Sequence, residues 1–300
     1  MHLLITGSNG LLGQKLLATL NKDANELFGF DLADQSYTPL IPHRYFKVDL
    51  IDRKQTTTAI QNINPEIIIH TAAMTGVDQC ETERENCWKI NVSATADLIK
   101  TAEKINSKFI FISSDYIFDG KNGPYNEESL PNPINYYGRS KLAAENLLRG
   151  SKLDWTIVRT IVLYGVGINV RASFVTWLLK ELREHRPVRI VHDQWGNTTI
   201  ADDLATGIDR IITLKREGIY NIADHGYMTR YEFALMIAER FNLDRGLITP
   251  VSSSAFKQPA MRPLRSGLDA SKAERELFLT VISLTDALDL YKYQEKQLNN

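Results

Sequence analysis

Tyr137 and Lys141 stand four residues apart in the stretch NYYGRSK (135–141), and together they hold the residue types that a carbonyl reduction needs. Residues i and i+4 of a helix share one face, so a helix here would present a phenol beside an ammonium. Reducing a ketone puts a hydride on carbon and a proton on oxygen. A free tyrosine has a pKa of about 10, too high for easy exchange near neutrality. A nearby ammonium and an oxidised nicotinamide ring both favour the phenolate and would lower that value. Tyr137 would then act as general acid or base. A hydroxyl donor to the same oxygen would hold and polarise it. Ser113 and Ser114, in ISSDYIFDG (112–120), are both candidates. They sit at the C-terminal end of a predicted strand, the edge where open α/β sheets bind ligands. Ser-Ser-Asp after a strand is also ordinary turn chemistry.

Such a site needs a hydride carrier. Residues 6–13 read TGSNGLLG, with glycines at 7, 10 and 13, after a predicted strand and opening a predicted helix. That context is what makes a glycine pattern count as a dinucleotide turn. Gly7 allows the tight turn, Gly10 lets backbone approach a pyrophosphate, and Gly13 lets the helix pack close. The helix N-terminus adds unpaired N–H donors for the phosphates. Asp31 ends the next predicted strand, at the distance where an acid binds the adenosine ribose. An Asp there repels a 2′-phosphate and so favours NAD(H) over NADP(H), although Arg44 and Lys47 are near enough in sequence to answer such a phosphate.

The elements that must position these residues alternate. HLLIT (2–6), ELFGFD (26–31), YFKVDL (45–50), EIIIHTA (66–72), KFIFISS (108–114) and WTIVRT (155–160) read as strands. Helical stretches lie between them, at 11–20 and near 52–62, 81–105 and 135–149. This order predicts an α/β fold, a Rossmann-type doubly wound parallel sheet over residues 1–160. Beyond it, helices near 171–186, 200–214, 229–241 and 283–293 predict a smaller mixed α/β substrate lobe over 161–300. VRIV (188–191) and GIYNIA (218–223) are strand-like and are candidates to return to the first sheet. RYEFALMIAERF (230–241) has its Met and aromatic residues at helical spacing and reads as core. A substrate cleft is expected between the lobes.

The bulk numbers exclude other classes. The chain has 300 residues and a net charge of −1, which favours neither a nucleic-acid backbone nor an anionic membrane. The N-terminus enters a strand at once, with no signal-peptide pattern, and no apolar run reaches membrane-spanning length. The cytoplasm is the expected location. Cys80 and Cys87 fit no zinc or redox spacing and read as reduced thiols near a helix. None of the six histidines sits in a metal-binding spacing. His70 ends a strand and reads as a packing or hydrogen-bonding residue. No metal is expected. No G-x-S-x-G elbow points to a hydrolase.

Together these segments resemble the extended short-chain dehydrogenase/reductase family over most of the chain. TGSNGLLG resembles its cofactor turn, VDL (48–50) the segment beside the adenine, HTAAMTGVD (70–78) the wall of the nicotinamide half, and SSDYIFDG (113–120) the strand bearing the catalytic hydroxyl. P-x-N-x-Y-G-x-S-K (133–141) resembles the catalytic helix, with Pro133, Asn135, Tyr137, Gly138, Ser140 and Lys141 in register. The resemblance implies Ser114, Tyr137 and Lys141 as catalytic residues. It implies cofactor contacts at Gly7, Asn9, Gly10, Leu11, Leu12, Gly13, Asp31, Asp49, Leu50, Ala72, Ala73, Tyr137 and Lys141.

Within that family the chain is most similar to the dTDP-4-dehydrorhamnose reductase group, through TGVD (75–78), SDYIFDG (114–120), VRTIVLYG (158–165), DQWGNTT (193–199) and RPLRSGLD (262–269). This implies NAD(P)H-dependent reduction of a 4-keto group on a nucleotide-linked 6-deoxyhexose, with substrate contacts at Thr75, Val77, Ser114 and Asp115. It also admits a homodimer. Two segments depart from the group. Val162 stands where Trp is usual, and Thr198 where Pro is usual. Reduction or epimerisation of another nucleotide sugar is therefore an alternative. So is a non-catalytic, cofactor-binding regulatory subunit, because the group includes a relative that assists another enzyme.

Overall fold

The structure, a computed structural model, describes residues 1–299; Asn300, the last residue of the expected second lobe, lies outside them. Six strands, β1 (His2–Thr6), β2 (Glu26–Asp31), β3 (Arg44–Lys47), β4 (Ile67–His70), β5 (Lys108–Ser114) and β6 (Trp155–Thr160), fall within the first 160 residues. Between them lie α1 (Leu11–Leu20), α2 (Arg53–Ile63), α3 (Val77–Thr82), α4 (Arg84–Trp88), α5 (Ala94–Ile105) and α6 (Tyr136–Arg149). The rest of the chain forms β7 (Leu163–Tyr164), α7 (Phe174–Arg183), β8 (Val188–Val191), β9 (Trp195–Gly196), β10 (Thr199–Ile200), α8 (Ala201–Thr213), β11 (Gly218–Asn221), β12 (Met228–Thr229), α9 (Arg230–Arg240), β13 (Ile248–Val251), α10 (Ser271–Leu277) and α11 (Leu284–Asn299).

One sheet of seven strands, ordered β11-β6-β5-β4-β1-β2-β3, carries the molecule, and every pairing in it is parallel. Side chains alternate across a strand, and here both sides are apolar. Leu3, Ile5, Ile67, Ile69, Ile110 and Ile112 face α1 and α8, while Leu4, Ile68, Phe109 and Phe111 face α2, α5 and α6. A parallel sheet covered on both faces needs such continuous apolar strands. The result is the Rossmann-type architecture expected from the sequence.

The two later strand-like segments part company. β11 joins the sheet beside β6, with Gly218 opposite Thr156. β8 does not: it pairs with β13 in a separate two-stranded sheet, under α7 and α9. Leu178, Leu182, Phe233, Ile237 and Tyr291 fill the core there. A short apolar segment cannot announce which edge it will join, and β8 finds its partner some sixty residues on in β13. No helix among the described residues is long and apolar enough to cross a membrane.

The helix that carries Tyr137 and Lys141 is anchored from below. On α6, Glu145 is fully buried and receives two hydrogen bonds from Arg159 of β6, from Nε at 3.0 Å and from Nη2 at 2.8 Å. Removing one partner of a buried, bidentate ion pair leaves the other charge without compensation. Glu145→Ala is therefore expected to destabilise the fold by about 3–5 kcal/mol. Urea unfolding should record this as a lower midpoint with an unchanged slope; a midpoint equal to that of the native protein would remove the anchoring role.

Candidate active site

A cleft of ≈ 950 Å³ runs along the C-terminal edge of the sheet. Ligand pockets usually span about 300–1,000 Å³, so this one suits an extended ligand. One end is the glycine turn. Gly7 adopts φ +72°, and a Cβ there would lie 2.9 Å from Ala72 N. Asn9, Gly10, Leu11 and Leu12 line the wall beside it, followed by Asp31, Asp49, Leu50, Ala72 and Ala73. Gly13 is expected in the same wall but stands behind it. A Cβ on Gly13 would fall 2.2 Å from Gly7 O, so this glycine lets α1 close against the turn and does not touch the cleft.

Asp31 accepts from Asn9 N at 2.9 Å and from Leu32 N at 2.8 Å. Its carboxylate is thus fixed at the mouth of the turn. The two nearby cations are engaged elsewhere. Lys47 Nζ donates to Asp34 at 2.6 Å, and Arg44 pairs with Glu26 and lies over Phe28.

At the other end, Ser114, Asp115, Tyr137 and Lys141 meet on the floor; Thr75 and Val77 also line this end, and Val77 packs on the cluster that holds Tyr137. Ser114 ends β5; its Oγ donates to Asp115 Oδ1 at 3.0 Å and accepts from Tyr116 N. Asn135 caps α6 by accepting from Gly138 N at 2.9 Å, and its Nδ2 donates to Met261 O of the second lobe. The Tyr137 ring is held edge-on by Tyr116. Lys141 Nζ sits over the Phe111 ring, 4.1 Å from its centre.

The protonation balance differs from the expectation that Lys141 lowers Tyr137. Burial pushes the Tyr137 phenol up, and the facing Ser114 hydroxyl is the main opposing influence. Burial also pushes Lys141 down to about 7, opposed first by Glu145. At the phenol, burial outweighs the neighbouring ammonium while the cleft holds no ligand. A phenol held protonated is nevertheless the state that a proton donor needs.

Behind the floor lies a network that the sequence did not reveal. Lys89–Ser93 forms a π-turn between α4 and α5, a feature often found at functional sites. It directs Asn91 inward, where the amide binds both Met74 N (2.8 Å) and Met74 O (3.0 Å) and donates to Ser140 Oγ (3.0 Å). Thr95 Oγ1 donates to Asn91 O, so His70 Nε2 carries the proton toward Thr95 and His70 Nδ1 accepts from Thr6 Oγ1 at 2.7 Å. Burial, then the Lys141 charge, pushes His70 down to about 3, so the ring is neutral. The sequence could have flagged Asn91 only through its place before α5.

Two orphaned hydroxyls test the fit of a nicotinamide dinucleotide. Ser113 Oγ and Thr160 Oγ1 are buried on adjacent strands without partners among the described residues, and both residues line the cleft at its Tyr137 end. Buried polar atoms left unpaired are rare in native proteins. Hydroxyls beside a cleft with a phosphate-ready turn suit a ligand whose far end is polar, as the nicotinamide carboxamide is. Thr160 was missed, although the strand-end logic that found Ser114 applies equally to β6. Val162 also lines this wall, at φ +44°, a conformation that costs a β-branched residue energy. Thr198 takes a structural role: it donates to Asp224, whose backbone N–H returns to Thr198 O at 2.8 Å.

The chain matches the RmlD substrate binding domain family over residues 1–294. It is 32% identical over 280 residues to the methionine adenosyltransferase 2 subunit beta of Bos taurus, covering 91% of this chain and 81% of that protein. It is 31% identical over 291 residues to a probable low-salt glycan biosynthesis reductase of Haloferax volcanii, covering 96% of each. The crystal structure of a dTDP-4-dehydrorhamnose reductase from Bacillus anthracis in complex with NADP superposes with a TM-score of 0.87 at 31% identity, covering 98% of this chain and 99% of that one. The chain belongs to the RmlD substrate binding domain family, in the dTDP-4-dehydrorhamnose reductase group of the extended short-chain dehydrogenase/reductases. Its class is that of an NAD(P)-dependent oxidoreductase.

Burial of Lys141 has a measurable consequence. The unfolded lysine titrates near 10.5 and the folded one at about 7. Below the folded value both states carry the proton, and folding bears the full cost of burying it. The cost fades as pH rises through the window between the two values. Lys141→Met is therefore expected to melt above the native protein at neutral pH, with the gap closing toward pH 10.5. Thermal melts across the window check this, and a gap independent of pH would rule out burial of charge as its cause.

Proposed function

We propose that this member of the family reduces the 4-keto group of a nucleotide-linked 6-deoxyhexose, with Tyr137 as proton donor and NAD(H) preferred. One observation carries the reading: Ser114, Tyr137 and Lys141 share the floor of the same cleft whose far end is a glycine turn with a fixed acid. A reduced nicotinamide supplies hydride to a carbonyl carbon. The chain's own residues do the rest. Ser114 Oγ turns from Asp115 to donate to the substrate oxygen and polarise it. Tyr137, held protonated by burial, delivers its proton to that oxygen as charge develops there. Lys141 limits the cost of the phenolate left behind and, on the same face of α6, is placed to hold ribose hydroxyls. Thr75 and Val77, which line the same end of the cleft, bound the sugar there.

Asp31 supports NAD(H), because its carboxylate would face a 2′-phosphate while Lys47 and Arg44 are already paired. The rest follows from the group: a small nucleotide-sugar partner, a cytoplasmic location, and a homodimer as the assembly to look for.

A second reading has a specific basis. The similarity to a methionine adenosyltransferase subunit is as high as that to a reductase, which fits a cofactor-binding regulatory subunit. Nicotinamide absorbance separates the two, followed with NADH and NADPH over TDP-, GDP- and UDP-linked 4-keto-6-deoxyhexoses. Turnover is expected with at least one sugar. Tyr137→Phe should lower it by about 10²–10⁴-fold while NADH affinity stays nearly unchanged. Silence across the panel with NADH still bound would hand the case to the regulatory reading, and full activity of the variant would end the role of Tyr137.

A further inference from the structure

A strap of chain between β7 and α7, residues 165–173, joins the two ends of the cleft. Its later residues, Asn169, Val170, Arg171, Ala172 and Ser173, line the cleft. At its start the strap lies on the glycine turn: a Cβ on Gly167 would meet Leu11 Cδ1 at 3.4 Å. Further on, the Arg171 guanidinium reaches Gly76, where a Cβ would fall 3.2 Å from Nη1. Gly76 stands between Thr75 and Val77, at the Tyr137 end. The strap therefore runs alongside the path that a dinucleotide would take from turn to floor.

One side chain holds the strap down. From Val166 to Ala172 the backbone makes two hydrogen bonds among the described residues, and both go to Gln14 of α1. Ile168 N donates to Gln14 Oε1 at 2.8 Å, and Gln14 Nε2 donates to Ile168 O at 2.7 Å. The other Nε2 proton goes to Asn9 O on the glycine turn, also at 2.7 Å. Gln14 is 5% exposed, and these bonds use both amide protons and the carbonyl. A flipped amide would set its oxygen against two carbonyls, so one orientation serves. Asn9 carries the link onward: its N–H donates to Asp31 at 2.9 Å, and its side chain accepts from Tyr37 N at 2.8 Å. The strap itself is open to solvent at Ile168, Asn169, Arg171 and Ala172. Gly167 and the left-handed Asn169 (φ +52°) flank Ile168, and both residue types take backbone changes at low steric cost. A segment with an exposed backbone and so few bonds opens locally at little cost.

We propose that Gln14 is a positioning residue that latches this strap to the glycine turn, and that the dinucleotide enters and leaves by transient release of the latch. Gln14 does not line the cleft; it acts through Ile168 on one side and Asn9 on the other. This role goes beyond the nucleotide-sugar reading and is independent of which ketone the cleft accepts.

Two measurements without turnover test this on the native protein, Gln14→Ala and Gln14→Glu. Hydrogen exchange, read by mass spectrometry on peptides spanning 165–173, reports opening of the strap. Stopped-flow fluorescence, with NADH and NADPH in parallel, gives association and dissociation rates. Losing both strap bonds in Gln14→Ala should raise strap exchange roughly tenfold. Association and dissociation of the dinucleotide should then both quicken, with affinity changed by less than about threefold. Damage to the turn itself would quicken dissociation alone and weaken affinity. Gln14→Glu adds a pH readout. Its protonated carboxyl accepts from Ile168 N and donates once, whereas its carboxylate faces two carbonyl oxygens. Strap exchange in this variant, corrected for intrinsic chemistry, should therefore quicken as pH rises, while the native strap stays level. Unchanged strap exchange in Gln14→Ala would overturn the latch. Faster dissociation without faster association, or loss of dinucleotide binding, would assign Gln14 to the turn and equally overturn it.

Discussion

The pairing of Arg159 with Glu145 is the constraint on which the site depends. It joins the last strand of the first half of the sheet to the helix that carries both titrating residues, with both side chains closed off from solvent. Glu145 lies one helical turn beyond Lys141 and is the first influence holding that lysine's proton affinity up against burial. Arg159 also donates to Glu127 O and lies over Phe118, which brings the loop before α6 into the same unit. A buried ion pair is weak support for stability when compared with an apolar replacement. Its value here is geometric. A bidentate pair admits one relative placement of β6 and α6, and the floor of the cleft inherits that placement.

A low-dielectric floor explains why the groups around Tyr137 titrate as they do. Burial leaves His70 neutral, brings Lys141 to the edge of deprotonation and keeps Tyr137 protonated. Each of these favours the uncharged form. Such a site spends no charge before substrate arrives, so its groups respond strongly when a developing oxyanion appears. The chain of hydrogen bonds from Thr6 through His70 and Thr95 to Asn91 has fixed donors and acceptors, and it links the end of β1, where the glycine turn begins, to the π-turn that supports α6. The glycine-turn end and the Tyr137 end of the cleft therefore rest on one hydrogen-bonded support.

Much of this was legible in the sequence, for identifiable reasons. Strands buried on two faces must be continuously apolar, so their limits were read to within a few residues; β1, β2, β5 and β6 match at both ends. Strand ends and helical spacing pointed to Ser113 or Ser114, to Tyr137 and to Lys141, and the family resemblance chose Ser114. Gly13 was read as the glycine that lets α1 pack close, and its backbone contact with Gly7 fits that role; the resemblance alone put it among the cofactor contacts. Asn91 stayed hidden because a π-turn depends on packing rather than on local composition. The strand β8 was offered to the wrong sheet because its pattern is apolar on one face only, which suits any edge.

Where the lobes meet, specificity and stability are built from the same segment. The stretch from Ala260 to Leu268 donates to Asp78 through Ala260 N and Arg262, accepts from Asn135 at Met261 O, and donates to Asp115 through Ser266 Oγ at 2.6 Å. These partners lie on α3, at the cap of α6 and beside Ser114. A substitution in this stretch therefore moves both cavities and the floor around Ser114 together. The chain can change what it accepts more cheaply at positions that touch the cavity without joining this web. Val162, Trp195 and Arg230 are such positions: they line the cavities with side chains outside its hydrogen bonds. The departure at Val162 from the group's usual residue falls on one of these free positions, while Thr198, tied to Asp224, changes the scaffold behind them. Diversity of substrate within one catalytic frame is what such a division of labour permits.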